Sequence, residues 1–174
     1  MEEIEVKILE IDRKEVEQKL ISLGALKVFD DKMQIYFFDK PDRSLREQRV
    51  TLRVRTEGKK TMLTVKTFVD NSTSNKRNEW EVEVSDVEDT IKLLEALGFV
   101  IDHQMKKIRT SYRLNGVHFE LDRYLGDYSY IPEFLEIEGP DEETIFKYVT
   151  LLGFAKEDCK PWSLKELVEN YGNS

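Results

Sequence analysis

The feature that most limits how this chain can fold is a two-residue alternation of charge and hydrocarbon that returns in segment after segment. At the N-terminus Glu3, Glu5 and Lys7 alternate with Ile4, Val6 and Ile8. Successive side chains of a β-strand point to opposite faces, so such a run is a strand with one charged face and one apolar face. Arg49, Thr51, Arg53 and Arg55 alternate with Val50, Leu52 and Val54, and the returning run sets Met62, Thr64 and Lys66 against Leu63 and Val65. Further on, Glu79, Glu81 and Glu83 alternate with Trp80, Val82 and Val84, and Lys107, Arg109 and Arg113 with Ile108, Tyr112 and Leu114. His118, Glu120 and Asp122 alternate with Val117, Phe119 and Leu121, and Glu136 and Glu138 with Leu135 and Ile137. Glu57-Gly58-Lys59 and Asn115-Gly116 are hairpin turns, which join neighbouring strands antiparallel. Leu26 to Asp39 is also extended, as one strand or a hairpin pair, with Ile35 and Phe37 opposite Gln34, Tyr36 and Phe38.

Helical spacing interrupts this pattern. Asp12 caps a helix from Arg13 to Leu23 that places Val16, Leu20 and Leu23 on one side. Ser85 or Asp86 caps a second helix ending near Leu97, and Gly139-Pro140-Asp141 starts a third over Glu142 to Leu152. The phrases ending in Gly24, Gly98 and Gly153 are alike, and the first two follow glutamate-bearing strands, which suggests a duplicated half. Residues 70–78 are polar throughout and read as a loop. Ser163 to Tyr171 reads as a short amphipathic helix, able to cover one end of a barrel together with Trp162.

About eight strands joined mainly as hairpins define an α+β domain, residues 1–174, built on a closed antiparallel β-barrel or a strongly curved sheet. A charged sheet face ordinarily meets water. Two features reverse that expectation. The amphipathic helices need an apolar sheet face to cover, and the charges are sorted, with arginine and lysine on some strands and glutamate on others. With helices packed outside, the charged faces line a lumen. Charged residues are 36% of the chain, against about a quarter in ordinary domains. Such a lumen is costly unless its charges pair or take up ions and ligands. Arginine and lysine grip phosphate oxygens, and carboxylates hold hard cations. A polyanion with a divalent cation is therefore the expected ligand.

The net charge of −8 has the wrong sign for general nucleic-acid binding. No apolar run reaches the length of a membrane span, and the single cysteine, Cys159, allows neither an internal disulfide nor a thiolate metal cluster. The acidic N-terminus enters a strand at once, so a secretion signal is not expected and a cytoplasmic location is.

The ordered set Glu3-x-Glu5-x-Lys7, Leu52-Arg53-Val54-Arg55, Thr64-Val65-Lys66, Glu79-x-Glu81-x-Glu83, Lys107-x-Arg109, Glu120-Leu121-Asp122 and Glu136-Ile137-Glu138 resembles the CYTH superfamily. That superfamily contains class IV adenylate cyclases, thiamine triphosphatases and inorganic tripolyphosphatases. The resemblance implies a barrel known as a triphosphate tunnel and an enzyme using Mg²⁺ or Mn²⁺ on a small-molecule triphosphate. It implies metal ligation by Glu3, Glu5, Asp122, Glu136 and Glu138, with Glu120 beside them. Lys7, Arg53, Arg55, Lys66, Lys107 and Arg109 would bind phosphate oxygens. Glu3, Glu5, Lys7 and Glu81 would form the catalytic set, Glu81 by orienting basic residues. The leading activity is adenylate cyclisation, with triphosphate hydrolysis as the alternative and a non-catalytic triphosphate-binding domain as a second one. No nucleic acid or membrane is implied as partner, and the chain is expected as a monomer or homodimer. Outside this set, His103 and His118 read as surface or packing residues and Cys159 as inert. Trp80 and Phe119 read as core, and Tyr36 as a lumen residue able to stack on a base.

Overall fold

A computed structural model describes residues 2–70 and 73–172. Eight strands close a barrel: β1 (Glu2–Leu9), β2 (Leu26–Asp39), β3 (Val50–Glu57), β4 (Lys60–Asp70), β5 (Asn75–Val84), β6 (Val100–Leu114), β7 (Val117–Leu125) and β8 (Phe134–Gly139). Their order is β5-β4-β3-β2-β6-β7-β8-β1, all antiparallel, and the pairing of β1 with β5 through Glu3↔Arg77 and Glu5↔Asn75 shuts the ring. A two-residue strand, β9 (Cys159–Lys160), adds to β1 at Lys7 and Ile8. Leu26 to Asp39 is one strand, not a hairpin pair, and it pairs with β6 along its length. The polar stretch 70–78 is mostly strand: β4 reaches Asp70 and β5 begins at Asn75, while Asn71 and Ser72 lie outside the described residues.

The helices form where their caps put them. In α1 (Arg13–Ser22), α3 (Val87–Ala96) and α4 (Glu142–Leu151) an aspartate, Asp12, Asp86 or Asp141, accepts a backbone N–H of the first turn at 2.7–3.0 Å. Each supplies one acceptor for donors the helix itself cannot pair. All three end the same way. Gly24, Gly98 and Gly153 adopt φ of 88°, 87° and 83°, which glycine takes without strain, and the next residue donates back to the carbonyl of Leu20, Leu94 or Val149 at 3.0 Å. This common ending accounts for the likeness of the three phrases in the sequence.

The apolar faces of the strands point outward, under these helices. α1 and α4 bury Val16, Leu20, Ile145, Val149 and Leu152 against Ile4, Val6 and Ile8 of β1, Phe119 and Leu121 of β7, and Leu135 and Ile137 of β8. α3 covers β2 and β3 through Leu94, Ile91 and Val87 on Phe38, Leu52 and Val54. Each fully buried side chain of this kind contributes about 1.5–3 kcal/mol. Tyr36 belongs to this outer layer, contrary to its expected place in the lumen. It pairs with Val54 across β2–β3, whereas Ile35 and Phe37 pair with Arg55 and Arg53 and share their inward face. Phe119 is core as expected, but Trp80, opposite Val65 on β4, is 57% exposed and joins none of the apolar clusters among the described residues.

The last helix closes one end of the barrel. A short helix α2 (Ser44–Glu47) links β2 to β3, and α5 (Leu164–Tyr171) follows β9. Leu164, Leu167 and Val168 of α5 pack with Leu9, Phe37, Met105, Tyr124 and Phe134, all on the inward faces of their strands. The amphipathic tail thus supplies an apolar floor. Among the described residues, no helix is long and apolar enough to cross a membrane.

Candidate active site

The inward faces enclose a cavity of about 1380 Å³. It is lined from Val28 and Phe29 near one end of β2 to Phe38 and Asp39 at the other, so it runs the length of the barrel. All the residues expected to carry function border it: Glu3, Glu5, Lys7, Arg53, Arg55, Lys66, Glu81, Lys107, Arg109, Glu120, Asp122, Glu136 and Glu138 are in its lining. Strand register stacks them in layers. Across β6, β7, β8 and β1, one layer is Arg113, His118, Glu138 and Glu5, and the next is Ser111, Glu120, Glu136 and Lys7.

One wall is already paired. Lys7 Nζ lies 2.7 Å from both Glu5 Oε1 and Glu136 Oε2, and Asn75 Nδ2 donates to the same Glu5 oxygen at 2.7 Å. Burial pulls the Lys7 pKa down, but Glu136 and Glu5 outweigh it and hold the amine charged. Asp122 is enclosed: Lys107 Nζ approaches it at 2.7 Å and Arg109 Nε at 2.8 Å. Arg109 also pairs with Glu120 and reaches Glu136 at 3.7 Å. Burial presses the Lys107 pKa down, Arg109 adds to that, and the neighbouring carboxylates only partly offset it.

The carboxylates that Arg109 and Lys7 leave under-compensated gather near Glu138. Burial, then Glu3, Glu120 and Glu136, push the Glu138 pKa up to about 8. Glu120 is raised as well, by burial and by Glu136 and Asp122 against the pull of Arg109. His118 lies 4.0 Å from Glu138, at the cavity margin as its parity allowed, and burial and Arg113 lower its pKa.

The other wall is differently arranged. Lys66 Nζ pairs with Glu3 at 2.5 Å and with Glu79 at 3.3 Å. Glu81 is held between the Thr64 hydroxyl, which donates at 2.6 Å, and Arg55 at 3.0 Å. Burial raises its pKa, but Arg55, Thr64 and Arg53 bring it below the ordinary value. Glu83 instead lies exposed, with Lys60 at 3.0 Å. Arg53 reaches Glu79 only at 3.9 Å. The Nε atoms of both Arg53 and Arg55 are buried without a hydrogen-bond partner among the described residues. A buried N–H left unpaired costs about 1–3 kcal/mol, and more on a charged group. Burial and the adjacent Arg55 lower the Arg53 pKa, so the pair is in a state that a bound anion would relieve.

The oxygen chemistry of Glu3, Glu120, Glu136 and Glu138, together with the charge excess at Glu138, fits a hard divalent cation. Among the described residues, no three of His, Cys, Asp and Glu stand grouped as a metal site, because Glu3, Glu120 and Glu136 each turn toward a cationic partner.

The alternation in the sequence could not find two features of this site. Ile35 and Phe37 carry no charge, so parity does not show which face of β2 turns inward. Asp102 and His103 lie side by side at the cavity although they are consecutive in β6. The register passes from Phe37↔His103 to Phe38↔Ile101, so Asp102 is the extra residue of a β-bulge.

A closed barrel whose lumen gathers arginines with unpaired Nε atoms among the described residues and crowded carboxylates, under a helical coat, has the chemistry of a tunnel for a polyanion. Residues 1–158 match the CYTH domain, and the chain belongs to that family, with its triphosphate-tunnel fold. A Methanocaldococcus jannaschii protein bearing the provisional name adenylate cyclase is 29% identical over 138 residues, 79% of this chain and 77% of that one. The solved structure of the PH1012 protein of Pyrococcus horikoshii superposes with a TM-score of 0.79 at 31% identity, over 95% of this chain and 98% of that chain. A Hippeastrum protein, assigned as an adenylyl cyclase and described by its dominant triphosphatase activity, shares the fold. Its TM-score is 0.69 at 19% identity, over 98% of this chain and 96% of that chain.

Proposed function

We propose that this protein is a metal-dependent enzyme that cleaves a phosphoanhydride bond of a triphosphate held inside the barrel, with cyclisation of ATP to cyclic AMP and pyrophosphate as its reaction. The observation that carries the reading is the pair of buried guanidinium N–H groups of Arg53 and Arg55 that have no partner among the described residues, in a lumen lined by charge. Arg53, Arg55 and Lys66 would grip the phosphate oxygens from one side, and Lys107 and Arg109 from the other. A phosphoryl group resists attack because its oxygens repel the nucleophile, and fixed cations offset that charge as it shifts. Lys7, held charged by Glu5 and Glu136, serves as such a cation and not as a base. Glu81 positions Arg55 through their 3.0 Å contact.

Glu3, Glu120, Glu136 and Glu138 are the residues that would hold Mg²⁺ or Mn²⁺, which neutralises phosphate oxygens and lowers the pKa of an attacking water or hydroxyl. Glu5 and Asp122, bound to Lys7 and to Lys107 and Arg109, orient those cations. The name of the M. jannaschii relative supports cyclisation. Attack by water in the same tunnel would give hydrolysis instead.

A product assay tests this. The purified protein is incubated with Mg²⁺ or Mn²⁺ and, separately, ATP, thiamine triphosphate and inorganic tripolyphosphate. Cyclic AMP with pyrophosphate is the expected result. Orthophosphate release would replace the cyclase by a triphosphatase, and binding without turnover would reduce the protein to a triphosphate receptor.

A further inference from the structure

The bulge in β6 builds a feature at the floor end of the tunnel that the phosphate-binding residues do not account for. In a regular strand Asp102 and His103 would face opposite sides. The extra residue brings Asp102 Oδ2 to 2.8 Å from His103 Nδ1, and both side chains border the cavity. The imidazole is fixed a second time: it lies flat against Phe37, with ring centroids 4.4 Å apart and 9° between planes. Tyr128 borders it at 6.5 Å. The His103 side chain nonetheless remains 36% exposed. An imidazole that is stacked on one face, oriented by a carboxylate and still open to the cavity is a preformed aromatic shelf.

Its position relative to the arginines gives it a use. Phe37 pairs with Arg53 across β2–β3, on the same inward face, so the shelf adjoins the phosphate-binding wall directly. Shelf and arginines together can take a molecule with an anionic chain at one end and a flat ring at the other. Asp102 uses one oxygen on His103 and has a second, Oδ1, which can accept from an amino group on that ring. We propose that Asp102, His103 and Phe37 form a subsite for an amino-bearing nitrogen heteroaromatic ring joined to the triphosphate, and so select an organic triphosphate over the inorganic one. This rests on the triphosphate reading given above. Adenine and the aminopyrimidine of thiamine share the required chemistry.

Calorimetric titration of the full chain, without divalent cation so that turnover does not intervene, separates the possibilities. The titrants are ATP, inosine triphosphate, thiamine triphosphate and tripolyphosphate. Stacking on one base is worth enough that His103→Ala should weaken ATP binding about tenfold relative to tripolyphosphate. Asp102→Asn should narrow the preference for ATP over inosine triphosphate, whose ring carries a carbonyl in place of the amino group. The milder Phe37→Leu variant keeps the apolar floor filled and should show the same ATP-specific loss as His103→Ala. If thiamine triphosphate responds more strongly than ATP, the subsite stands and the ring is the pyrimidine. Equal losses for ATP and tripolyphosphate, or none for either, would overturn the subsite while leaving the triphosphate reading intact. Failure of the unmodified chain to bind any of the four would overturn both.

Discussion

The two walls of the tunnel carry similar charges in different states. Around β1, β6, β7 and β8 the buried cations Lys7, Lys107 and Arg109 each have close carboxylate partners, and the outer face is covered by α1 and α4 over the largest apolar cluster among the described residues. On β3 two guanidinium N–H groups lack partners among the described residues, and the outer face of β5 leaves Trp80 and Val82 each 57% exposed. On the first wall the protein itself matches the buried cations, and the surplus there is of carboxylate, at Glu138 and Glu120. The second has been left incomplete at considerable cost, which makes sense where a ligand completes it. A buried charge is strongly destabilising alone and tolerable when paired. Under the proposed function the same kind of residue would serve structure on one wall and binding on the other.

The largest expected effect breaks the first wall. Asp122→Ala removes the carboxylate that Lys107 and Arg109 share, at a residue only 1% exposed. Leaving buried charges unpaired costs about 3–5 kcal/mol. For a chain of this size each kcal/mol moves the midpoint by about 2–4 °C, so thermal unfolding should shift down by roughly 6–20 °C. An unchanged midpoint would show that the pairing does not hold this wall together.

The second wall should respond in the opposite sense. Arg53→Ala removes a cation already disfavoured by burial and by Arg55, so the unliganded midpoint should stay the same or rise. Tripolyphosphate affinity should fall about 10–100-fold, the equivalent of one charged hydrogen-bonding group at about 1.5–3 kcal/mol. Calorimetry and a melting curve on one preparation provide both numbers. A lower midpoint with unchanged affinity would make Arg53 a structural residue and erase the distinction between the walls.

What the sequence revealed follows the same division. Strands with a charged face declared their parity, so the placement of Glu3, Arg53, Lys107 and Glu138 at the cavity could be anticipated from alternation combined with the need to seat helices outside. Where both faces are uncharged, as with Ile35, Tyr36 and Phe37, alternation has nothing to sort, and only the register with Arg55 and Arg53 settles which turns inward. Trp80 was misplaced because an apolar parity says which face a residue takes but not whether a helix covers that face. The bulge at Asp102 was hidden for a related reason: one extra residue changes facing without changing composition. Ion pairing is equally silent in the sequence. Nothing in the order of residues distinguishes Asp122, closed off by two cations, from Glu138, crowded by other carboxylates.

That last contrast gives the smallest expected effect. The Glu138 pKa is raised to about 8, first by burial and then by Glu3, Glu120 and Glu136, while a glutamate in the unfolded chain titrates near 4.5. Between these values the folded protein retains a proton that the unfolded chain has lost. Stability then falls as pH rises through this window, because the native state binds more protons. Glu120 is shifted in the same direction and adds to the slope. Glu138 is about a third exposed, with 35% of its side chain accessible, so solvent screening reduces the effect to a modest decline in melting temperature of the ligand-free protein between pH 5 and 8. Glu138→Gln, which cannot ionise, should flatten that decline, and the same substitution of the exposed Glu83 should leave it unaltered. A slope unaffected by Glu138→Gln would place the excess negative charge elsewhere in the tunnel and weaken the contrast between the closely paired Asp122 and the crowded Glu138.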